Sequence, residues 1–282
     1  MKSTNVNPKR MSVKLQRLLM IMTAIMMALV TFTACSIDDE NGDNDENGSG
    51  DEKPGQISGF GGNTGKISGK AFELPNGIVF DGDIIGASWE SITTYASEVK
   101  SKKPSSNRIT LLNDMTTRSV ISDYYKYDMY GSGLNVLILV RLKNTTSRQI
   151  DVEFPAGLVF ESSNAKYQHG ILIKKTKVSV PVGGNDVILM MYCGNANREM
   201  PDSSVKFLKP VVTNSKLLLY LCDLVKNKRI NIEENIETNE EMGKYFVIAE
   251  KLQEIVWKVT DYGQMPDKAD QDYISSISDS QF

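Results

Sequence analysis

The chain has 282 residues, with 32 basic and 35 acidic side chains and a net charge of −3 at neutral pH. That balance argues against the basic stripe by which proteins hold nucleic acid, and a single histidine cannot build a histidine-rich metal centre. Cysteine is sparse, three in all and with no CxxC pair.

Lys2, Lys9, Arg10, Lys14 and Arg17 make a basic opening with no acidic residue before Cys35. Leu18–Val30, LLMIMTAIMMALV, is an apolar run of 13 residues. A bilayer-spanning helix needs roughly 20, so the run fits the apolar core of a secretory signal. A start at Met11 would still leave Lys14 and Arg17 ahead of it. Small Thr33 and Ala34 then precede Cys35 in TFTAC. This resembles a bacterial lipobox, with Phe32 where leucine is usual. The resemblance implies that residues 1–34 are a lipoprotein signal peptide and that Cys35 becomes the lipidated first residue. An ordinary signal peptide followed by an incidental cysteine is the alternative.

The next stretch, CSIDDENGDNDENGSGDE, holds all of the mature chain's excess acidity. Removing residues 1–34 leaves 27 basic and 35 acidic residues, and eight acids lie between Asp38 and Glu52. Asp43, Asp45 and Asn47 ahead of Gly48 match the first half of an EF-hand loop. Pro54 stands where the bidentate glutamate belongs, and no amphipathic helix flanks the loop. A mixture of Gly, Asn, Asp and Glu without apolar side chains cannot offset chain entropy, so residues 35–70 are expected to be a disordered acidic and glycine-rich tether. Ser36, Ile37, Asp38, Asp39 and Glu40 resemble the export signal of Bacteroidetes lipoproteins. That implies an outer-membrane lipoprotein on the outer face, with a periplasm-facing anchor as the alternative.

Residues 71–263 are expected to form one α+β domain, an antiparallel β-sandwich-like core followed by two C-terminal helices. Residues 71–130 are irregular, with GIVF as a strand and Ser88–Lys100 as a short helix capped by Ser88. Residues 131–210 carry the sheet. LNVLILVRL is a strongly apolar strand. IDVEF alternates, with Ile150, Val152 and Phe154 opposite Asp151 and Glu153. AGLVF and HGILIKKTKVSVPV follow, and Gly183–Gly184–Asn185–Asp186 turns the chain into VILMMY. Short turns between such strands favour antiparallel pairing. In residues 211–263 the period becomes helical, in KLLLYLCDLV and in EEMGKYFVIAEKLQEIVWKV, which stops near Gly263. Strands before helices suit an α+β domain, and residues 264–282 read as a flexible tail.

Across LKNTTSRQIDVEFPAGLVFESSNAKYQHGILI, MMYCGNANREMP and LQEIVWKVTDYG, the chain resembles a recurrent family of uncharacterised Bacteroidetes surface lipoproteins. That resemblance implies an envelope location and no activity. A second, local resemblance lies in LQEIVW. Gln253 and Trp257, four apart on one helix face, are similar to the Gln-x-x-x-Trp block of bacterial thioester adhesin domains, with Leu252 and Ile255 where Thr and Ala are usual. There, the glutamine and a distant cysteine form an internal thioester that captures amines. The resemblance implies Cys193 as partner, with Cys222 less suited inside its helical run. The bland alternative has Trp257 as a core anchor and Gln253 satisfying a backbone group. A Cys193–Cys222 disulfide is a further option for an exported chain.

Other candidates have plainer readings. His169 is the only imidazole for general base work, and no serine or cysteine motif pairs with it. Asp81 and Asp83 in FDGD offer metal-ligating carboxylates, but a turn demands the same residues. Glu233, Glu234, Glu237, Glu240 and Glu241 read as a solvated acidic face. Tyr124, Tyr125, Tyr127 and Tyr130 present flat amphipathic area for binding, or one aromatic strand face in the core. The expected role is thus a lipid-anchored envelope protein with a non-catalytic binding or structural function and no cofactor. Its partners would be the membrane, through the lipid, and a glycan or protein ligand, with no nucleic acid. A covalent thioester adhesin is the alternative, and an extracellular hydrolase stands behind it.

Overall fold

The computed structural model describes residues 52–92, 127–235 and 239–280. The signal segment, Cys35, residues 36–40, the calcium-like loop, Tyr124, Tyr125 and Glu237 lie outside the described residues.

Among the described residues there are eleven strands, β1 (Gly69–Ala71), β2 (Ile78–Phe80), β3 (Ile85–Ala87), β4 (Asp128–Gly131), β5 (Val136–Asn144), β6 (Ile150–Phe154), β7 (Leu158–Phe160), β8 (Gly170–Ile171), β9 (Thr176–Val180), β10 (Asn185–Cys193) and β11 (Val211–Thr213). Nine of them form a curled sheet in the order β1-β11-β7-β8-β10-β5-β2, with β3 also on β5 and β4 on β10. Only the β4–β10 pairing in it is parallel. β6 and β9 form a separate antiparallel pair.

The strand patterns follow from what covers each face. β5 and β10 are apolar on both faces because both are buried. On one face Val136, Ile138, Val140, Val187, Leu189 and Met191 meet Val152, Phe154, Val178 and Val180 of the β6–β9 pair. On the other, Leu137, Leu139, Ile188 and Met190 meet Ile232, Tyr245 and Ala249 from the helical segments. β6 alternates instead, since Asp151 and Glu153 face solvent. The result is a mixed α+β fold with a sandwich-like antiparallel core, as the sequence pattern indicates.

Among the described residues four helices follow the sheet, α1 (Lys216–Val225), α2 (Ile232–Asn235), α3 (Asn239–Thr260) and α4 (Lys268–Ser276). Ser215 caps α1 by accepting from the Leu218 amide at 3.2 Å. An earlier helix begins at Trp89 and is described as far as Ile92. Ser88 and Ser91 cap its start reciprocally, each hydroxyl accepting from the other's amide. None of the described helices is long and apolar enough to cross a membrane.

Two expectations about order are corrected. The segment 264–282 is not a free tail over its described part. Asp267 and Asp270 cap α4 reciprocally, and Lys258 of α3 reaches Asp270 at 2.5 Å and Asp267 at 3.1 Å. Ile274 and Ile277 complete the contact with α1 and α3. Residues 52–67, expected within a disordered tether, instead make an ordered strap that buries Ile57, Phe60 and Ile67. Composition hides this, because three apolar anchors among many glycines suffice when backbone hydrogen bonds hold the rest.

Candidate functional site around Cys193 and Gln253

β10 loses its neighbour on one edge near its end. The last rung with β5 pairs Met191 with Val136, two residues short of Cys193. α3 then lays Gln253 against Cys193. The Gln253 Oε1 accepts from the Cys193 amide at 2.8 Å, and its Nε2 donates to the Cys193 carbonyl at 2.9 Å. The carboxamide thus stands in for one residue of a neighbouring strand. Burial gives the contact its weight, since Cys193 is fully buried and Gln253 is 5% exposed, and an unpaired backbone group there would be costly.

The thiol of Cys193 sits in the sandwich interior. Its Sγ accepts from the Asn195 amide at 3.2 Å. Trp257, one turn along α3 from Gln253, packs against the same interior, and its buried Nε1 makes no well-formed hydrogen bond among the described residues, although it lies close enough to the thiol to act on it. Burial pushes the Cys193 thiol up to about 12, against smaller opposing effects of the Asn195 amide and Trp257. The sulfur is therefore a protonated thiol at neutral pH and a poor nucleophile while covered. Cys222 lies in α1 among the second set of buried residues, and both cysteines are free, so the Cys193–Cys222 disulfide is not formed.

A polar shell surrounds this pair. Asn195 is fully buried. Its Oδ1 accepts from the His169 amide at 3.1 Å, and its Nδ2 donates to the carbonyls of Gly61 at 2.9 Å and Gly59 at 3.2 Å. Asp261, just past α3, accepts from the Ala196 amide at 2.8 Å and from the Thr260 hydroxyl at 2.6 Å. Burial raises its pKa, with those hydrogen bonds and Arg198 opposing.

His169 does not act as a poised base. Its Nδ1 accepts from the Ser162 amide at 2.9 Å, while its Nε2 lies 2.8 Å from Nη1 of Arg198. Both neighbours are donors, yet a neutral imidazole can accept at only one nitrogen. Protonation would leave no lone pair for either. Burial first, then Arg198, lowers its pKa to about 4. The imidazole is a neutral structural group pinned between two donors.

The remaining candidates scatter. Asp83 pairs with Lys206 at 2.6 Å, and Asp81 and Asp83 flank Gly82 in a turn with φ 90°. No cluster of metal-ligating side chains occurs among the described residues. Tyr127 packs against the interior under α3, and Tyr130 against the sandwich interior, which supports the core reading of that aromatic segment.

The reading of a solvated acidic face is corrected at Glu233 and Glu234. Glu233 is an exposed residue, yet its carboxylate is held by the fold, accepting from the Gly131 amide at 2.8 Å, from Asn231 at 3.0 Å and from the Thr176 hydroxyl. Burial raises that carboxyl to about 7. Glu234 meets Lys174 at 2.7 Å, and Lys174 also donates to the Lys228 carbonyl and to Ser280. An open groove of about 500 Å³ runs beside α3 and α4, lined by Val247, Ile248, Tyr273 and Ile277.

Asn195, Arg198, Asp261 and the strap are absent from the sequence-based candidates. Only the Gly-Asn pair directly after Cys193 hints at a backbone turn there. Comparison of the chain with family models, with curated proteins and with solved structures finds no match.

Proposed function

We propose that this chain is a lipid-anchored component of a bacterial cell envelope, displayed at the outer surface, whose folded body has a binding or structural role. The observation that carries the reading is the order of features before the body: basic segment, short apolar run, Thr33–Ala34–Cys35, then the acidic stretch that leads into the strap at Glu52. The resemblance to Bacteroidetes surface lipoproteins agrees with it. Support for a non-catalytic role comes from His169, held neutral between two donors.

Labelling cells with an alkynyl palmitate tests the anchor. Incorporation that disappears in Cys35→Ser, together with cleavage of the body by protease added to intact cells, is the expected result. Labelling that survives Cys35→Ser would refute the anchor assignment. Protection of the body until the outer membrane is opened would place it in the periplasm.

One observation favours a second reading, a covalent adhesin. Residues 60 apart in sequence, Cys193 and Gln253, meet in the interior. In that reading the Cys193 sulfur attacks Cδ of Gln253, the C–N bond breaks, and ammonia leaves carrying the thiol proton. A surface amine can later displace the sulfur, forming an amide and restoring the thiol. Loss of ammonia from the intact mass, abolished by Cys193→Ala, is its signature. An unmodified mass without methylamine incorporation rules it out.

A further inference from the structure

Gln253 and Cys193 belong to different elements, and a third element fastens those elements together. The strap, residues 52–67, crosses from the end of α3 to the end of β10. At α3, the Gly55 amide donates to the Val259 carbonyl at 2.7 Å. At β10, the Gly61 amide donates to the Gly194 carbonyl at 2.8 Å, and Asn195 answers through its bonds to Gly59 and Gly61. Asn63 closes the strap on itself, donating to the carbonyls of Gly55 and Phe60 at 2.8 Å each.

The seat fits the strap closely. Gly61 has φ 58°, and a Cβ on it would lie 2.3 Å from the Thr260 carbonyl oxygen, so only glycine sits there without moving α3. Phe60 is fully buried and lies on Gly194, where a Cβ would come within 2.5 Å of its ring. Residues 194 and 195 are those that follow Cys193, and the Asn195 amide is the donor on its sulfur. The strap therefore holds both the strand end that carries the thiol and the helix end that carries the carboxamide.

We infer that the strap is a latch: seated, it keeps the end of α3 on the end of β10 and seals the Cys193–Gln253 centre, and released, it lets the two ends part and exposes that centre to reagents. The latch goes beyond the proposed envelope role and does not depend on whether a thioester forms. Its energetic basis is local. A latch with three apolar anchors and a handful of backbone hydrogen bonds opens at far lower cost than the doubly covered β5–β10 pair.

The test uses the full mature chain in mild detergent, exposed in parallel to iodoacetamide and to methylamine, with peptide mass mapping of Cys193, Cys222 and Gln253. Native protein is expected to resist both reagents at Cys193 and Gln253. Phe60→Ala is expected to raise the modification rate by roughly a hundredfold, at Cys193 by iodoacetamide where the thiol is free or at Gln253 by methylamine where a thioester joins the two, with Cys222 unchanged. Gly62→Ala is expected to behave as native, because its Cβ would meet nothing within 4 Å. Alkylation of Cys193 would show a free thiol, and so discard the thioester reading while leaving the latch standing. Amine incorporation at Gln253 would support both. The latch is overturned if Phe60→Ala leaves both positions unreactive, or if Cys222 becomes reactive in step with Cys193, which would mean that the whole body had loosened.

Discussion

Gln253 donates to and accepts from the backbone of Cys193 at the same time, so one side chain of α3 completes the hydrogen bonding of the last residue of β10. This is the point at which the helical layer is keyed to the sheet. Gln253→Leu keeps a similar volume but leaves a buried amide and a buried carbonyl unsatisfied. It should lower unfolding free energy by about 2–4 kcal/mol, read from the denaturant midpoint. A loss below about 0.5 kcal/mol, the range of ordinary surface changes, would mean that the contact is incidental.

Glu233 makes stability fall as pH rises. Its carboxyl titrates near 7 in the folded chain, above the ordinary glutamate value of 4.5. The native state therefore holds the proton more tightly than the unfolded chain. Its stabilising contribution is complete below about 4.5 and is lost as pH rises through about 7. Glu233→Gln should flatten that part of the stability profile, and chemical denaturation at a series of pH values measures it. An unchanged slope in the variant would assign the effect elsewhere.

His169 works in the opposite direction. Its folded pKa of about 4 lies below the ordinary histidine value of 6.5, so it contributes stability above 6.5 that is lost as pH falls through 4. With a single histidine in the chain, its imidazole resonances need no assignment. An NMR titration should show no inflection between pH 6 and 7 in the native protein. A midpoint in the ordinary range for histidine, about 6.5, would show that the ring is not sealed between Ser162 and Arg198.

Lys174 ties the end of the chain to the sheet. It is buried beside Glu234 and Ser280, and truncating one partner of such a pair costs more than the pair itself contributes. Lys174→Met should destabilise by about 3 kcal/mol or more, and pairing it with Glu234→Met should restore much of that loss. Thermal and denaturant melts of the single and double variants test this. A double variant no more stable than Lys174→Met would argue that packing of the lysine stem, not charge, holds the segment.

The sheet was legible in the sequence because its patterns have one cause each. IDVEF alternates since one face is wet, and LNVLILVRL does not since both faces are covered. The Cys193–Gln253 encounter was legible only through the local likeness of LQEIVW to another motif, and the structure shows contact through the Cys193 backbone. The run HGILIKKTKVSVPV gives no sign that it divides into β8 and β9, with Lys174 buried at the bend. The strap and α4 were misread for a shared reason. Both look polar and glycine- or serine-rich, and both are held by a few buried side chains plus caps and backbone hydrogen bonds that composition does not report. The hydrogen-bonded carboxylates of Glu233 and Glu234 were missed because charge runs are read by spacing, whereas their partners Gly131, Thr176 and Lys174 are far away in sequence.

The intact mass of the protein extracted from membranes tests the central claim, a lipid-anchored body, most directly. A mature chain beginning at Cys35 and carrying acyl mass on that residue is the predicted result. A chain that retains residues 1–34, or one processed with Cys35 unmodified, would contradict it.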